Sequence, residues 1–401
     1  MSTRGRRGPI DGRRHPVAQD RERIQTQLIH AGEPTPRHAG AVVTPVFQSS
    51  TFEYGGQGNY DDVRYLRLNN SPNHEVLHRK LAAVEGGEAA LVTASGMAAI
   101  STTLLTVLRP GDHILAQRTL YGGTHDFITE TLVRWGVTHT FVDGDDPDSW
   151  AAALRPETRA IYLEALSNPL LEILDLPAVA GFARENDLVS IVDATFTSPI
   201  LLRPLELGFD IVLHSATKYL NGHSDIVAGA IASSDAHIDA IRHTLNLLGG
   251  SLDPHACFLL QRGLKTLAVR VRQQSATALA VASALHEHAA VSTVYYPGLP
   301  HHPHHQRAAT LLRGGFGGMV SMELAGGVEA ADRLTQRLRL PINAPSLGGP
   351  ETLVTRPAQT SHAGLDPKTR RDLGIGDGLV RLSIGLEDAD DLIADLQQAL
   401  D

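Results

Sequence analysis

Lys218 stands where an amine can do chemistry. It lies in the stretch HSATKYLNGHSD, five residues after the apolar run 211–213, with Ser215 and Thr217 as hydroxyl neighbours. Ligands of open α/β sheets gather beyond the carboxyl ends of the strands. A lysine held there can form a Schiff base with an aldehyde cofactor. Ser215 and Thr217 are placed to donate hydrogen bonds to a phosphate of that cofactor.

Two further strand ends carry groups that suit the same cofactor. Asp193 ends the apolar run in SIVDATF, where a carboxylate is costly unless a cation such as a protonated pyridine nitrogen pairs with it. In TASGMAAI, Ser95 and Gly96 end a strand and a helix opens at Met97, so free backbone N–H groups can meet a phosphate. Each feature alone more often has a structural role than a role in binding a cofactor. Together they predict an amine, a ring counter-ion and a phosphate cradle.

The elements that must position these groups alternate along the chain. The apolar, strand-like runs are 88–94, 112–116, 138–142, 159–164, 188–193 and 210–213. The helical periods are 97–108, 124–135, 148–154 and 176–185. This alternation predicts a mostly parallel sheet covered by helices. A long helical stretch over 255–290 predicts a link to a smaller α/β C-terminal domain, whose strands and helices lie at 317–324, 328–339, 378–385 and from about 387.

Composition narrows the class of protein. The 401 residues are 42% hydrophobic and 20% charged, as in a globular protein of more than one unit. The net charge of −9 argues against a nucleic-acid or anionic-membrane partner, and no apolar run approaches the roughly 18 residues of a membrane span. The single Cys257 excludes an internal disulfide framework. We therefore predict a cytoplasmic protein whose Arg-rich start, 1–16, is a disordered leader.

Longer motifs give the chain a family resemblance. They run from VTPVFQSSTFEY at 43–54 to RLSIGLED at 381–388, with SGMAAI, YGGTHDF, SNP, VDATF, HSATKYLNGHSD and SLGG between. The chain resembles the trans-sulfuration family of pyridoxal-phosphate enzymes, which includes cystathionine γ-synthases and cystathionine and methionine lyases. The resemblance implies pyridoxal 5'-phosphate and the α/β fold of type I pyridoxal-phosphate transferases. It divides the chain into an N-terminal arm (1–63), a large cofactor domain (64–257) and a small domain (258–401).

The resemblance also implies roles for individual residues. Lys218 would bind the cofactor and move protons, and Asp193 would pair with the ring nitrogen. Tyr121 would stack on the ring and act as acid or base. The remaining implied contacts are the phosphate shell of Ser95, Gly96, Met97, Ser215 and Thr217, the cofactor contact Asn168, and the substrate contacts Arg381, Asn168 and Ser346.

The element YLRL implies an oligomer. In the family this Tyr-x-Arg pattern reaches the phosphate of the neighbouring subunit, so Tyr65 and Arg67 are expected to bind the partner's cofactor. The resemblance therefore implies a homo-oligomer, a tetramer of two dimers that share active sites.

The implied reaction is γ-elimination or γ-replacement on a small amino acid derived from homoserine or homocysteine. The alternative is β-elimination from a cysteine-type or specialised substrate. Gly123 stands where methionine γ-lyases typically carry cysteine, and Pro345 where many cystathionine γ-lyases carry glutamate. NNSP at 69–72 replaces a common GNPT. These departures predict an altered side-chain pocket.

Two rival hypotheses belong to other classes. His74, Glu75 and His78 fit the H-E-x-x-H pattern of a zinc metallohydrolase, but no third ligand is evident nearby, so we predict no metal and expect these histidines on a helix surface. HHPHH at 301–305 is expected to be a solvated loop. A non-catalytic relative is the other rival, and the complete set of polar groups argues against it.

Overall fold

The computed structural model describes residues 22–56, 63–364 and 366–401. The predicted disordered leader lies outside the described residues.

A seven-stranded sheet forms the centre of the chain. Its strands are β1 (Ala89–Thr93), β2 (His113–Gln117), β3 (Thr138–Val142), β4 (Thr158–Glu164), β5 (Val189–Asp193), β6 (Ile211–Ser215) and β7 (Gly229–Ser233). Their order is β1-β7-β6-β5-β4-β2-β3. Strand β7 is antiparallel to both neighbours, whereas the other neighbouring pairs are parallel. The mostly parallel sheet is therefore confirmed.

A second, five-stranded sheet follows. Its strands are β8 (Val291–Tyr295), β9 (Met319–Leu324), β10 (Ile342–Asn343), β11 (Leu353–Thr355) and β12 (Leu379–Ser383), in the order β10-β11-β12-β9-β8. Only β10 and β11 pair in parallel. The predicted boundary between 257 and 258 falls inside a helix, and the three-part division of the chain stays a prediction.

Helices surround both sheets. They are α1 (Ile24–His30), α2 (Pro72–Glu85), α3 (Gly96–Val107), α4 (Gly122–Asp126), α5 (Pro147–Ala153), α6 (Leu176–Glu185), α7 (Ser198–Leu201), α8 (Asp235–Leu248), α9 (Pro254–Leu264), α10 (Leu267–His286), α11 (His305–Leu311), α12 (Gly327–Arg337), α13 (Pro367–Asp372) and α14 (Ala389–Leu400). A π-helical turn at Phe127–Leu132 continues α4. No helix in the described part of the chain has both the length and the apolar character to cross a membrane.

The long helical stretch predicted over 255–290 is two helices. Helix α9 ends at Leu264 and α10 begins at Leu267. The buried guanidinium of Arg270 donates to the carbonyl groups of Gly263 and Tyr219, at 2.8 and 3.0 Å. It thereby adds a hydrogen bond to a carbonyl at the end of α9 that also accepts the Thr266 N–H at 3.2 Å, and it ties this break to the turn of Tyr219.

Alternation along the central strands sends side chains to two cores. Leu163 on β4 and Val192 on β5 face one apolar cluster, whereas Tyr162 and Ile191 face the other. A side chain at the last position of each strand therefore emerges at the carboxyl edge on a fixed face of the sheet. That edge carries the polar groups predicted from the sequence.

Candidate active site

A cavity of about 730 Å³ opens at the carboxyl ends of β4, β5 and β6. Predicted site residues that line it are Ser95, Gly96, Met97, Tyr121, Asn168, Asp193, Ser215, Thr217, Lys218, Ser346 and Arg381. Tyr65 and Arg67 do not line it. The structure thus brings together residues that are up to 286 positions apart, Ser95 and Arg381 being the extremes.

Lys218 reaches the cavity from the turn after β6. Its Nζ donates to Ser346 Oγ at 2.7 Å. Burial lowers the pKa of Lys218 from 10.5 to about 8, and the nearby charge of Arg381 acts in the same direction. More of the amine is therefore unprotonated, and so nucleophilic, near neutral pH than in an exposed lysine.

Asp193 ends β5 at the bottom of the cavity. Its Oδ1 accepts the backbone N–H of Thr195 at 2.8 Å. Burial raises the pKa of this carboxyl, although the Thr195 hydrogen bonds partly oppose the shift. A cation placed beside Asp193 would remove the cost of holding its negative charge away from water.

The start of α3 meets Ser215 directly. Ser95 caps the helix, since its Oγ accepts the backbone N–H of Ala98 at 3.0 Å. A Cβ at Gly96 would lie only 2.8 Å from Ser215 Cβ, so glycine is required for this approach. The first N–H groups of a helix have no partner within it and favour anions. These N–H groups and the hydroxyl of Ser215 form one cradle.

Thr217 lies beside this cradle, and its hydroxyl already forms hydrogen bonds within the chain. Its Oγ1 donates to the carbonyl of Ala228 at 3.2 Å and accepts the Ala228 backbone N–H at 2.9 Å. These bonds tie the turn that carries Lys218 to the segment that leads into β7.

Arg381 enters the cavity from β12 of the second sheet. Its Nη1 donates to Asn168 Oδ1 at 2.8 Å and its Nη2 to the carbonyl of Ser346 at 3.4 Å. Its buried Nε has no hydrogen-bond partner within the described residues, and burial lowers the pKa of the guanidinium to about 10. A buried guanidinium with an unused N–H suits a carboxylate ligand.

Tyr121 borders the mouth of the cavity at the start of α4. Its side chain is 45% exposed, while its backbone N–H donates to Glu164 Oε1 at 2.6 Å. A Cβ at Gly123 would lie 2.7 Å from the Tyr121 ring and 3.0 Å from Met97 Sδ. The glycine at 123 is therefore necessary for this position of the tyrosine.

Several cavity residues were missed by the sequence analysis. They include Glu164, Thr195, Val227, Thr360 and His362. Glu164 had a usable signal, since it ends the run RAIYLE as Asp193 ends SIVD. Thr360 and His362 follow β11 in a loop without any comparable pattern.

Tyr65 and Arg67 lie elsewhere on the chain. Arg67 Nη1 donates to the carbonyl of Asn246 at 2.8 Å, and its guanidinium lies 5.7 Å from the ring centroid of Tyr65. Their role at a neighbouring subunit stays a prediction.

The two histidine-rich stretches differ from expectation. His74 is buried in α2 and its Nδ1 lies 2.8 Å from Ser71 Oγ, so its expected place on a helix surface is wrong. Burial lowers the pKa of both His74 and His78. Glu75 pairs with Arg64. Among the described residues, no group of three or more His, Cys, Asp or Glu side chains is arranged to hold a metal ion.

The loop 301–305 is also less solvated than expected. His302 is buried. His304 and His305 donate from Nδ1 to the carbonyl groups of Ile173 and Pro297, at 2.9 and 2.8 Å. These rings fasten the loop onto the protein instead of facing water.

The cavity fits an aldehyde cofactor with a phosphate and a cationic ring. It presents the amine of Lys218, the buried carboxyl of Asp193 and an anion cradle at α3. The unused Nε of Arg381 remains for a substrate carboxylate.

Comparison with known proteins gives a consistent result. The family model described as Cys/Met metabolism PLP-dependent enzyme matches residues 25–401. A cystathionine γ-synthase of Mycobacterium bovis is 44% identical over 377 residues, 94% of this chain and 96% of the relative. A cystathionine β-lyase of Bacillus subtilis is 43% identical over 381 residues, again 94% and 96%.

A solved structure shares the fold. The crystal structure of cystathionine γ-lyase from Lactobacillus plantarum, complexed with L-serine, superposes with a TM-score of 0.89 at 39% identity. The match covers 94% of this chain and 98% of that one.

Proposed function

Because this chain belongs to the Cys/Met metabolism family of PLP-dependent enzymes, we propose how its cavity performs carbon–sulfur chemistry on an amino acid. Its cofactor is pyridoxal 5'-phosphate and its reaction class is γ-elimination or γ-replacement. The observation that carries the assignment of residues is that the Lys218 amine, the Asp193 carboxyl and the Arg381 guanidinium line one cavity.

The described residues would hold the cofactor at three points. Lys218 would bind its aldehyde carbon, and Asp193 would pair with its ring nitrogen. Its phosphate would lie against Gly96, Met97 and Ser215, whose N–H and hydroxyl groups form the cradle. Ser95 and Thr217, whose hydroxyl groups already form hydrogen bonds, would border it. Asn168, which is fixed by its bond to Arg381, would contact the edge of the ring.

The same residues account for the handling of substrate. When bound, pyridoxal phosphate supplies an electron sink beside the Cα of an amino acid. Arg381 would hold the α-carboxylate in two contacts and so orient the Cα–H bond. Lys218 would remove that proton and return it along the substrate, while Ser346 holds the amine through its 2.7 Å bond. Tyr121 would act as acid or base near the substrate side chain.

We propose a homoserine- or homocysteine-derived substrate. Near the mouth of the cavity, Val227, Pro345 and Thr360 line the space left for the side chain. Pro345 offers no charge to a distal amino group, which supports a substrate other than cystathionine alone. An O-acylhomoserine satisfies this pocket, since its side chain beyond Cγ carries no amino group.

We also propose that copies of the chain share active sites. Tyr65 and Arg67 lie outside their own chain's cavity, which supports a role in that of a partner. The proposed assembly is a tetramer of two such dimers, measurable by sedimentation.

A cytoplasmic location is part of the proposal. It is supported by the single thiol, Cys257, which is free and buried and so needs no oxidising compartment.

The experiment that tests the function uses purified, cofactor-loaded protein with an O-acylhomoserine, with and without cysteine. Mass spectrometry would quantify 2-oxobutanoate, the product of γ-elimination, and cystathionine, the product of γ-replacement. Either product supports the proposal, and their ratio separates lyase from synthase. Absence of both, with the cofactor bound, contradicts it.

The second candidate is β-elimination, favoured by the 43% identity to a cystathionine β-lyase. Cystathionine as substrate distinguishes the two reactions. Pyruvate with homocysteine indicates β-elimination, whereas 2-oxobutanoate with cysteine indicates γ-elimination.

A further inference from the structure

Glu164 is a buried carboxyl in the cavity to which the proposed chemistry gives no task. It is the last residue of β4 and its exposed fraction is 7%. It pairs in register with Asp193, the last residue of the parallel strand β5. Paired residues of neighbouring strands lie about 5 Å apart and point to the same face. Two carboxyl groups therefore emerge side by side at the bottom of the cavity.

The contacts of Glu164 lead to a residue that borders the cofactor space. Its Oε1 accepts the backbone N–H of Tyr121 at 2.6 Å. Its own backbone N–H donates to Gln117 Oε1 at 2.9 Å, which fixes the end of β4 to the end of β2. The carboxyl thus joins the start of α4, where Tyr121 stands, to the strand next to Asp193.

Among the residues that the structure describes, no cation is paired with the buried carboxyl of Glu164. Burial raises the pKa of its carboxyl to about 8, the charge of Asp193 adds to the shift, and the backbone N–H groups of Tyr121 and Asn168 oppose it. Tyr162 is the other titratable group beside it, a buried phenol whose pKa the charges of both carboxyl groups help to raise. An uncompensated carboxyl reduces stability, so an amide at this position would be tolerated at least as well by the fold.

We propose that Glu164 is a positioning residue for the cofactor site. It holds the backbone of Tyr121 so that the ring lies over the cofactor. A cationic ring bound beside Asp193 would favour the ionised form of Glu164, which then adds its negative charge to that of Asp193 towards the ring nitrogen. It does not touch the reacting atoms. The inference rests on the proposed binding mode of pyridoxal phosphate in this cavity.

The test compares Glu164→Gln with Glu172→Gln in the full chain. Glu172 is a matched control because burial also raises its pKa, it bonds to Ser167, and it does not line the cavity. The first readout is the Kd for pyridoxal phosphate, measured by titrating cofactor-free protein. The second is the pH dependence of the bound cofactor's visible absorbance, and the third is kcat and KM.

We expect Glu164→Gln to weaken cofactor binding about tenfold, because the amide still accepts the Tyr121 N–H but removes the negative charge that strengthens this bond and faces the ring. It should shift the pH profile of the absorbance and lower kcat more than it raises KM. Glu172→Gln should leave all three unchanged. A wild-type Kd and pH profile for Glu164→Gln, or equal losses in both variants, would overturn the inference.

The pH dependence of the free energy of unfolding gives a further test, and the direction of the expected change is fixed. An acid whose pKa is raised by folding stabilises the protein fully below its unfolded pKa, and loses that contribution as pH rises through the folded pKa. The wild type should therefore lose stability relative to Glu164→Gln between about pH 4.5 and about pH 8. A constant difference across this range would contradict the buried, uncompensated state of Glu164.

Two outcomes separate this inference from the proposed function. If Glu164→Gln does not fold, Glu164→Asp, which keeps the charge but withdraws it from Tyr121, should show the same loss of cofactor affinity; a wild-type Kd in that variant overturns the inference. If no substrate is turned over but Kd and absorbance still depend on Glu164, the inference stands and the reaction assignment fails.

Discussion

Replacement of Arg381 by methionine or lysine tests the proposed recognition of substrate. Arg381 is 5% exposed, and within the described residues its hydrogen bonds run from its two Nη atoms to Asn168 and Ser346, at 2.8 and 3.4 Å. Methionine keeps the bulk of the side chain and removes the charge. Removing one member of a buried charge pair costs about 2–5 kcal/mol, and each 1.36 kcal/mol is tenfold in rate. We expect kcat/KM of Arg381→Met to fall about 30- to 5,000-fold.

Arg381→Lys should lose less, about 10- to 100-fold, because an ammonium keeps the charge but not the two-pronged contact. Stability of the cofactor-free protein should change little in either variant. The wild-type guanidinium has no carboxylate partner among the described residues there, so its replacement breaks no ion pair.

The assay compares each amino-acid substrate with its α-carboxamide. The wild type should strongly prefer the carboxylate, and Arg381→Met should lose most of that preference, as in a double-mutant cycle. Arg356→Met is the control, because Arg356 is also buried but pairs with Asp332 and lies outside the cavity. Undiminished discrimination in Arg381→Met, or equal losses in both variants, would refute the assignment.

Two other predictions follow from the site. Gly96→Ala should weaken cofactor binding at least about tenfold, because its Cβ would lie 2.8 Å from Ser215 Cβ. The control Gly181→Ala, whose Cβ would lie in open space on α6, should not change the Kd for the cofactor. Equal affinities of the two variants would show that the cradle tolerates a methyl group. The pKa of Lys218 is lowered to about 8, so cofactor-free wild type should gain stability relative to Lys218→Met as pH rises from about 8 to about 10.5. Lys80, whose pKa is also lowered to about 8, contributes equally to the stability of both proteins and so cancels from the comparison. A difference in denaturant midpoints that stays constant over this pH range would contradict the burial of the Lys218 amine.

The sequence was sufficient to predict the central strands of the large sheet and the polar residues at their ends. Strands β5 and β6 are apolar runs bounded by Asp193 and by the segment of Lys218, so pattern and chemistry pointed to the same edge. Strand β7 was not predicted, because GAIAS consists mainly of small residues with weak strand preference. Its antiparallel pairing with β1 and β6 holds this segment in an extended conformation.

Other features depended on tertiary contacts. His74 was expected on a helix surface once the zinc site was set aside, yet α2 packs against α1, α9 and the sheet and buries most of its length. His362 and Thr360 enter the cavity only because β11 and β12 bring their loop beside the large sheet. Residues this far apart in the sequence form no local pattern from which their proximity in the fold could be predicted.

The position of Arg381 on β12 has a consequence for what the cavity accepts. The cofactor, which would receive the substrate's amino group, would be held by Lys218 and Asp193 at the carboxyl edge of the seven-stranded sheet, whereas Arg381, the proposed anchor for the substrate's carboxylate, lies on the five-stranded one. A bound amino acid would therefore bridge the two sheets, and the spacing of the sheets would set the accepted distance between its amino group and its carboxylate. A β-amino acid, one methylene longer, can satisfy one anchor only by straining the other. With these anchors, selection for α-amino acids would depend on how the two sheets are spaced, beyond any single contact.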